Sequence, residues 1–69
     1  MRYTVVYEAT PRNYAAYVPD LPGCVATGRT RRAVQQAIRA AIRLHLDALR
    51  TDGRPVPPAT AWTEVVEAP

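Results

Sequence analysis

The sequence has no lysine, no serine and no phenylalanine, and it carries one cysteine and one histidine in 69 residues. A lone cysteine cannot close a disulfide within its own chain, which removes the stapled secreted scaffolds. No basic segment followed by an apolar stretch opens the chain, and no apolar run approaches the roughly 20 residues that cross a bilayer. The expected location is therefore cytoplasmic, with no membrane role. The three glycines, Gly23, Gly28 and Gly53, stand apart, so no glycine-rich phosphate loop is present. One cysteine and one histidine fall short of a structural zinc set, and the six acids are scattered rather than gathered for a two-metal site. Neither a metal nor a cofactor is expected.

Length adds its own limits. The chain has room for a single domain over residues 1–69 and none for a separate DNA-binding domain. A domain of this size buries only about 60% of the surface of its unfolded chain, so a homodimer or higher homo-oligomer is expected. The composition is that of a globular protein, 48% hydrophobic and 22% charged. All nine basic residues are arginine, against six acids, and the net charge of +3 admits an acidic partner without requiring one.

Residues 2–10 alternate, with Tyr3, Val5 and Tyr7 on one face and Thr4, Val6 and Glu8 on the other, which predicts a strand. Pro11, Arg12 and Asn13 break the pattern, residues 14–18 restore it, and the short link makes the pair a hairpin. Pro19 to Gly23 cannot lie inside a sheet, because both prolines lack a donor and Gly23 suits a tight turn. Residues 24–27 form a third short strand, closed by Gly28.

From Thr30 the period becomes 3.6. Val34, Ala37, Ile38, Ala41, Ile42, His45, Ala48 and Leu49 share one wide apolar face. Thr30 is the expected N-cap, and Asp52-Gly53 the stop, giving a helix of about 20 residues and about 30 Å. Arg31 and Arg32 sit at the positive end of the helix dipole, where helix stability alone would not place them. After Pro55, Pro57 and Pro58, residues 61–67 alternate again and predict a fourth strand. The order β-β-β-α-β describes an α+β fold. It is a three-stranded antiparallel meander with one long helix on one face, and the right-handed crossover sets the fourth strand parallel to the first.

No catalytic set emerges. His45 would need a nucleophile and an orienting partner, yet the only thiol is Cys24 and there is no serine. Both residues read first as packing residues, a half-buried histidine and a small buried thiol. No enzymatic activity is expected. Two surfaces could bind. Arg32, Arg39, Arg43 and Arg50 fall within a band about 40° wide opposite the apolar face, a stripe suited to nucleic acid or an acidic protein and partly balanced by an expected Arg43–Asp47 pair. Tyr14 and Tyr17, beside the turn at Pro19, Asp20 and Leu21, are aromatic anchors of the kind protein interfaces use, though either ring could instead pack in the core.

The run Tyr14-Ala15-Ala16-Tyr17-Val18-Pro19-Asp20-Leu21-Pro22-Gly23-Cys24, then Thr27-Gly28 and Thr30, then Ala41-Ile42-Arg43-Leu44-His45-Leu46, then Asp52-Gly53-Arg54-Pro55-Val56-Pro57, closely resembles the HicB-like antitoxin family. The resemblance implies a truncated ribonuclease H-like fold without that fold's metal-binding acids. It also implies a protein that binds a small mRNA-degrading toxin, encoded by a neighbouring gene, and covers its active site. Tyr14, Tyr17, Pro19, Asp20 and Leu21 are the expected toxin contacts. Pro22, Gly23, Cys24, Gly28, Thr30, His45 and Gly53 are family-signature residues expected to act structurally. Many relatives carry a further DNA-binding domain for which this chain has no room, so DNA binding by this chain alone is not expected. Relatives also place acids in the first hairpin and along the helix, where this chain has Pro11-Arg12-Asn13 and Arg29, Arg31, Arg32 and Arg43.

Overall fold

In a computed structural model, which describes all 69 residues, the elements run β1 (Val6–Ala9), β2 (Tyr14–Tyr17), β3 (Val25–Gly28) and α1 (Arg31–Thr51). The strands form one antiparallel sheet in the order β1-β2-β3, the predicted meander. The β1–β2 hairpin closes through Thr10 and Asn13. The Thr10 N–H donates to the Asn13 carbonyl at 2.8 Å, and the Thr10 hydroxyl donates to Asn13 Oδ1 at 2.7 Å. Side-chain bonds of this kind let Thr and Asn hold a tight loop without a ladder.

The longer β2–β3 connection is knitted by its own backbone. Val18 N–H donates to Cys24 O at 3.1 Å, Leu21 N–H to Val18 O at 3.1 Å and Cys24 N–H to Leu21 O at 3.0 Å. Gly23 supplies the positive φ of 84° that the turn needs. This winding points Val18, Leu21 and Cys24 inward, all three buried.

Register divides the sheet into two faces. Rows Tyr7↔Ala16↔Ala26 and Ala9↔Tyr14↔Gly28 face the helix, while rows Val6↔Tyr17↔Val25 and Glu8↔Ala15↔Thr27 face away. Ala16, Ala26 and Gly28 keep the helix side of β2 and β3 low, and α1 lies over β3 and β2 without reaching β1. Gly28 shows the closeness: a Cβ there would stand 2.5 Å from the Val34 backbone nitrogen. The core is Ala16, Val18, Leu21, Cys24, Val34 and Ile38, flanked by Tyr3, Val5, Tyr14, Ala26, Ala41, Ile42 and Leu46.

Both helix ends follow the sequence reading. The Thr30 hydroxyl accepts the Ala33 N–H at 3.0 Å, with Thr30 in the extended conformation of an N-cap. At the other end Gly53 takes φ 67°, its N–H reaches Arg50 O at 3.1 Å, and Arg54 N–H reaches Leu49 O at 2.9 Å. That paired pattern is a Schellman closure. Along the expected apolar face Val34, Ile38 and Leu49 are buried and His45 is half-buried, but Ala48 is exposed.

The fourth strand is a correction. Residues 54–69 form no helix or strand. The segment is tied at Pro57, Thr60 and Ala61 by side chains of residues 3, 4 and 20 rather than by a backbone ladder, and beyond Ala61 it makes no hydrogen bond. An alternating pattern becomes a strand only when a neighbouring backbone accepts it, and here none does.

Candidate partner-binding surface

Neither chemical candidate stands in a reactive setting. Cys24 is buried at the end of β2–β3, and desolvation raises its thiol pKa. His45 lines a shallow cleft of about 360 Å³ with Pro22, Leu49, Asp52, Arg54 and Pro57, and Cys24 does not border it. No three His, Cys, Asp or Glu side chains converge. No helix is long and apolar enough to cross a membrane.

The sheet face away from α1 presents Val6, Tyr17 and Val25 in one row across all three strands, with no element packed over it. Tyr17 is 41% and Val25 65% exposed. The second row adds exposed Glu8 and Thr27. Strand parity produces this surface, because residues directly opposite in an antiparallel pair share a face.

That parity also separates two of the expected contacts. Tyr14 and Tyr17 are three residues apart on one strand, so Tyr14 packs beside the core under α1 while Tyr17 lies on the open face. Pro19 is exposed. Leu21 is 0% exposed and anchors the turn from within, so it offers no contact surface.

Asp20 is engaged inside the chain. Its Oδ2 accepts the N–H groups of Thr60 and Ala61, each at 3.0 Å, and its Oδ1 accepts the Thr60 hydroxyl at 2.8 Å. The Ala61 N–H first, then the Thr60 hydroxyl, hold the carboxyl below its ordinary value of 3.8; desolvation opposes them, and the Thr60 N–H adds the smallest lowering. Thr4 Oγ1 donates to the Ala61 carbonyl at 2.8 Å and the Tyr3 hydroxyl to the Pro57 carbonyl at 2.6 Å. Sequence reasoning missed this clamp, which joins segments 40 to 57 positions apart; the only local signal was an acid placed in a turn with no turn partner.

Arg32, Arg39, Arg43 and Arg50 are all exposed on the helix side opposite the core. The expected Arg43–Asp47 pair does not form. Asp47 instead lies 3.9 Å from Arg50, the one ion pair of the structure, and at such exposure it contributes little.

Three comparisons place this architecture. Residues 3–69 match the family described as HicB_like antitoxin of bacterial toxin-antitoxin system. UPF0150 protein Ta0767 of Thermoplasma acidophilum is 32% identical over 69 residues, covering 99% of this chain and 100% of that protein. An uncharacterized 14.9 kDa protein from the rep-hol intergenic region of Haemophilus phage HP1 is 26% identical, and this chain spans 52% of its length. Among solved structures, the HicA3 and HicB3 toxin-antitoxin complex superposes with a TM-score of 0.73 at 28% identity, covering 86% of this chain and 70% of that one. With the signature turn, the capped helix and the whole-length match in agreement, the chain belongs to the HicB-like antitoxins of bacterial toxin–antitoxin systems.

Proposed function

We propose that this antitoxin-type protein binds a small mRNA-degrading toxin encoded beside it and neutralises it by covering the active site, without catalysing a reaction itself. The observation that carries the reading is the row Val6, Tyr17 and Val25 on the sheet face away from α1, with Tyr17 and Val25 exposed and Val6 half-buried. A tyrosine flanked by aliphatic side chains supplies large contact area at small conformational cost, the usual make-up of an interface anchor. The exposed Pro19 in the adjoining turn is a further contact in this reading, whereas Asp20 acts indirectly by fixing the turn's shape. The likeness to a chain of a toxin–antitoxin complex supports a toxin as the partner class. The neutralising form is cytoplasmic and a homodimer or larger, which the small core supports.

Co-expression with the adjacent gene tests this. The neighbour alone should arrest growth, and co-expression should restore growth and yield a complex that survives purification. A harmless neighbour, or one that does not bind, overturns the proposal.

A second reading rests on the arginine stripe, where Arg32, Arg39 and Arg43 have no carboxylate within ion-pair distance. Contact with nucleic acid or an acidic protein through these side chains predicts binding that weakens steeply with salt and is largely lost in Arg39→Glu plus Arg43→Glu. Unchanged binding in that double variant excludes the stripe.

A further inference from the structure

Arg31 and Arg32 open α1, and its first turn holds no acid. Cations at the positive end of a helix dipole weaken the helix, so their placement is explained better by something they bind. The sheet register brings two more arginines to the same end. Ala9, Tyr14 and Gly28 form the last row of the three strands, so the β1–β2 loop with Arg12 and the β3–α1 link with Arg29 leave the sheet side by side. All four arginines are exposed, and none is in an ion pair.

Two clefts cut into this end. One, of about 280 Å³, is bordered by Arg12, Arg29, Thr10 and Asn13. The other, of about 270 Å³, lies between β1 and the start of α1 and is bordered by Tyr7, Glu8, Arg31 and Gln35. It exists because α1 covers β3 and β2 and stops short of β1, so Tyr7 stands 43% exposed on the helix side of the sheet. Tyr14 borders both clefts, so they adjoin, whereas Arg32 borders neither. Tyr7 and Tyr14 are diagonal cross-strand neighbours, within reach of each other as aromatic side chains.

Size and chemistry together select the ligand. Each cleft is smaller than the roughly 300–1,000 Å³ that encloses a free small molecule, so the pair suits successive units of a polymer. The two tyrosines offer a stacking surface, with Gln35 and Glu8 beside it as hydrogen-bond partners for a base edge. Arg31 on one side, and Arg29 and Arg12 on the other, supply charge for the phosphates that join the bases. An acidic peptide would satisfy the arginines and leave the tyrosines without a planar partner. A duplex keeps its base faces hidden.

We propose that this end of the molecule binds single-stranded nucleic acid, with a base stacked on Tyr7 and Tyr14 and the adjoining phosphates on Arg12, Arg29 and Arg31. The site uses none of Val6, Tyr17 and Val25 and none of the outward stripe Arg32, Arg39, Arg43 and Arg50. It therefore stands or falls independently of the toxin reading.

Fluorescence anisotropy with a labelled single-stranded RNA of about ten nucleotides, and with the DNA strand of the same sequence, tests the site. At about 50 mM salt the wild-type chain should bind, and the tighter strand names the sugar the site prefers. Arg29→Gln combined with Arg31→Gln should flatten the slope of log affinity against log salt by about 1.4, two phosphate contacts' worth for a single strand. The same variant should keep the helical far-UV signal and melt no lower than wild type, because it removes a like charge from the positive helix end. Tyr7→Ala should weaken binding at least about fivefold with the salt slope unchanged, the mark of a lost stacked base. Failure of both strands to bind overturns the proposal, as does full binding by Tyr7→Ala. Equal binding of the duplex of that sequence, or of a polyglutamate peptide, overturns it as well. Binding that survives in the Arg29 and Arg31 variant but is lost in Arg39→Glu plus Arg43→Glu overturns it in favour of the stripe.

Discussion

Asp20 and Thr60, forty positions apart, are joined by two hydrogen bonds to one carboxylate, from the Thr60 N–H at 3.0 Å and its hydroxyl at 2.8 Å. With the Ala61 N–H they fasten the chain's end to the signature turn. The carboxyl's pKa is lowered from 3.8 in the clamped state, so the clamp is fully formed above that value. It weakens as pH falls below 3.8 and is lost once pH passes the depressed clamped value. The Thr60 and Ala61 amide resonances should therefore titrate together with a midpoint below 3.8, and Asp20→Asn should abolish that titration. A midpoint at or above 3.8 would show that the clamp does not form in solution.

Gly28 and Gly23 should both resist substitution, for different reasons. Alanine at Gly28 drives a Cβ to 2.5 Å from the Val34 nitrogen and 2.9 Å from the Ala33 carbonyl carbon, so α1 must move off β3. A cost of about 1–3 kcal/mol is expected for such overpacking. At Gly23 nothing lies within 4 Å of the added Cβ, and the cost of about 1–2 kcal/mol comes from the φ of 84° alone. Urea titration of each variant, followed by helix content, measures both.

Ile38→Ala and Leu21→Ala remove side chains that are fully buried. Each should destabilise by about 2–5 kcal/mol, enough to unfold much of so small a domain at room temperature. Val66→Ala, at a position 72% exposed, should shift stability by no more than about 0.5 kcal/mol. Thermal melts of the three variants at one low protein concentration check the ordering.

The parts of the fold legible in the sequence are those whose causes are local. Thr30 and Gly53 mark the ends of α1 because a cap and a positive φ act within a few residues. The two faces of β1 follow from alternation alone. Residues 61–67 carry the same alternation but form no strand, since pairing depends on a neighbour that a propensity cannot supply. The Asp20 clamp is illegible for a related reason: its three donors lie at Thr60 and Ala61, and nothing near Asp20 points to them. Tyr14 and Tyr17 show the opposite case. Their separation of three residues already places them on different faces, a parity that the sequence contains.

The most direct test is a titration of the purified chain against the adjacent gene's product while cleavage of a messenger RNA is followed. Wild-type protein should suppress cleavage stoichiometrically. Tyr17→Ala plus Val25→Asp, exposed positions on the open face, should keep the fold yet require at least about tenfold more protein for the same suppression, the scale of losing an interface anchor. Cleavage that continues at excess wild-type protein, or equal suppression by the double variant, would contradict the account.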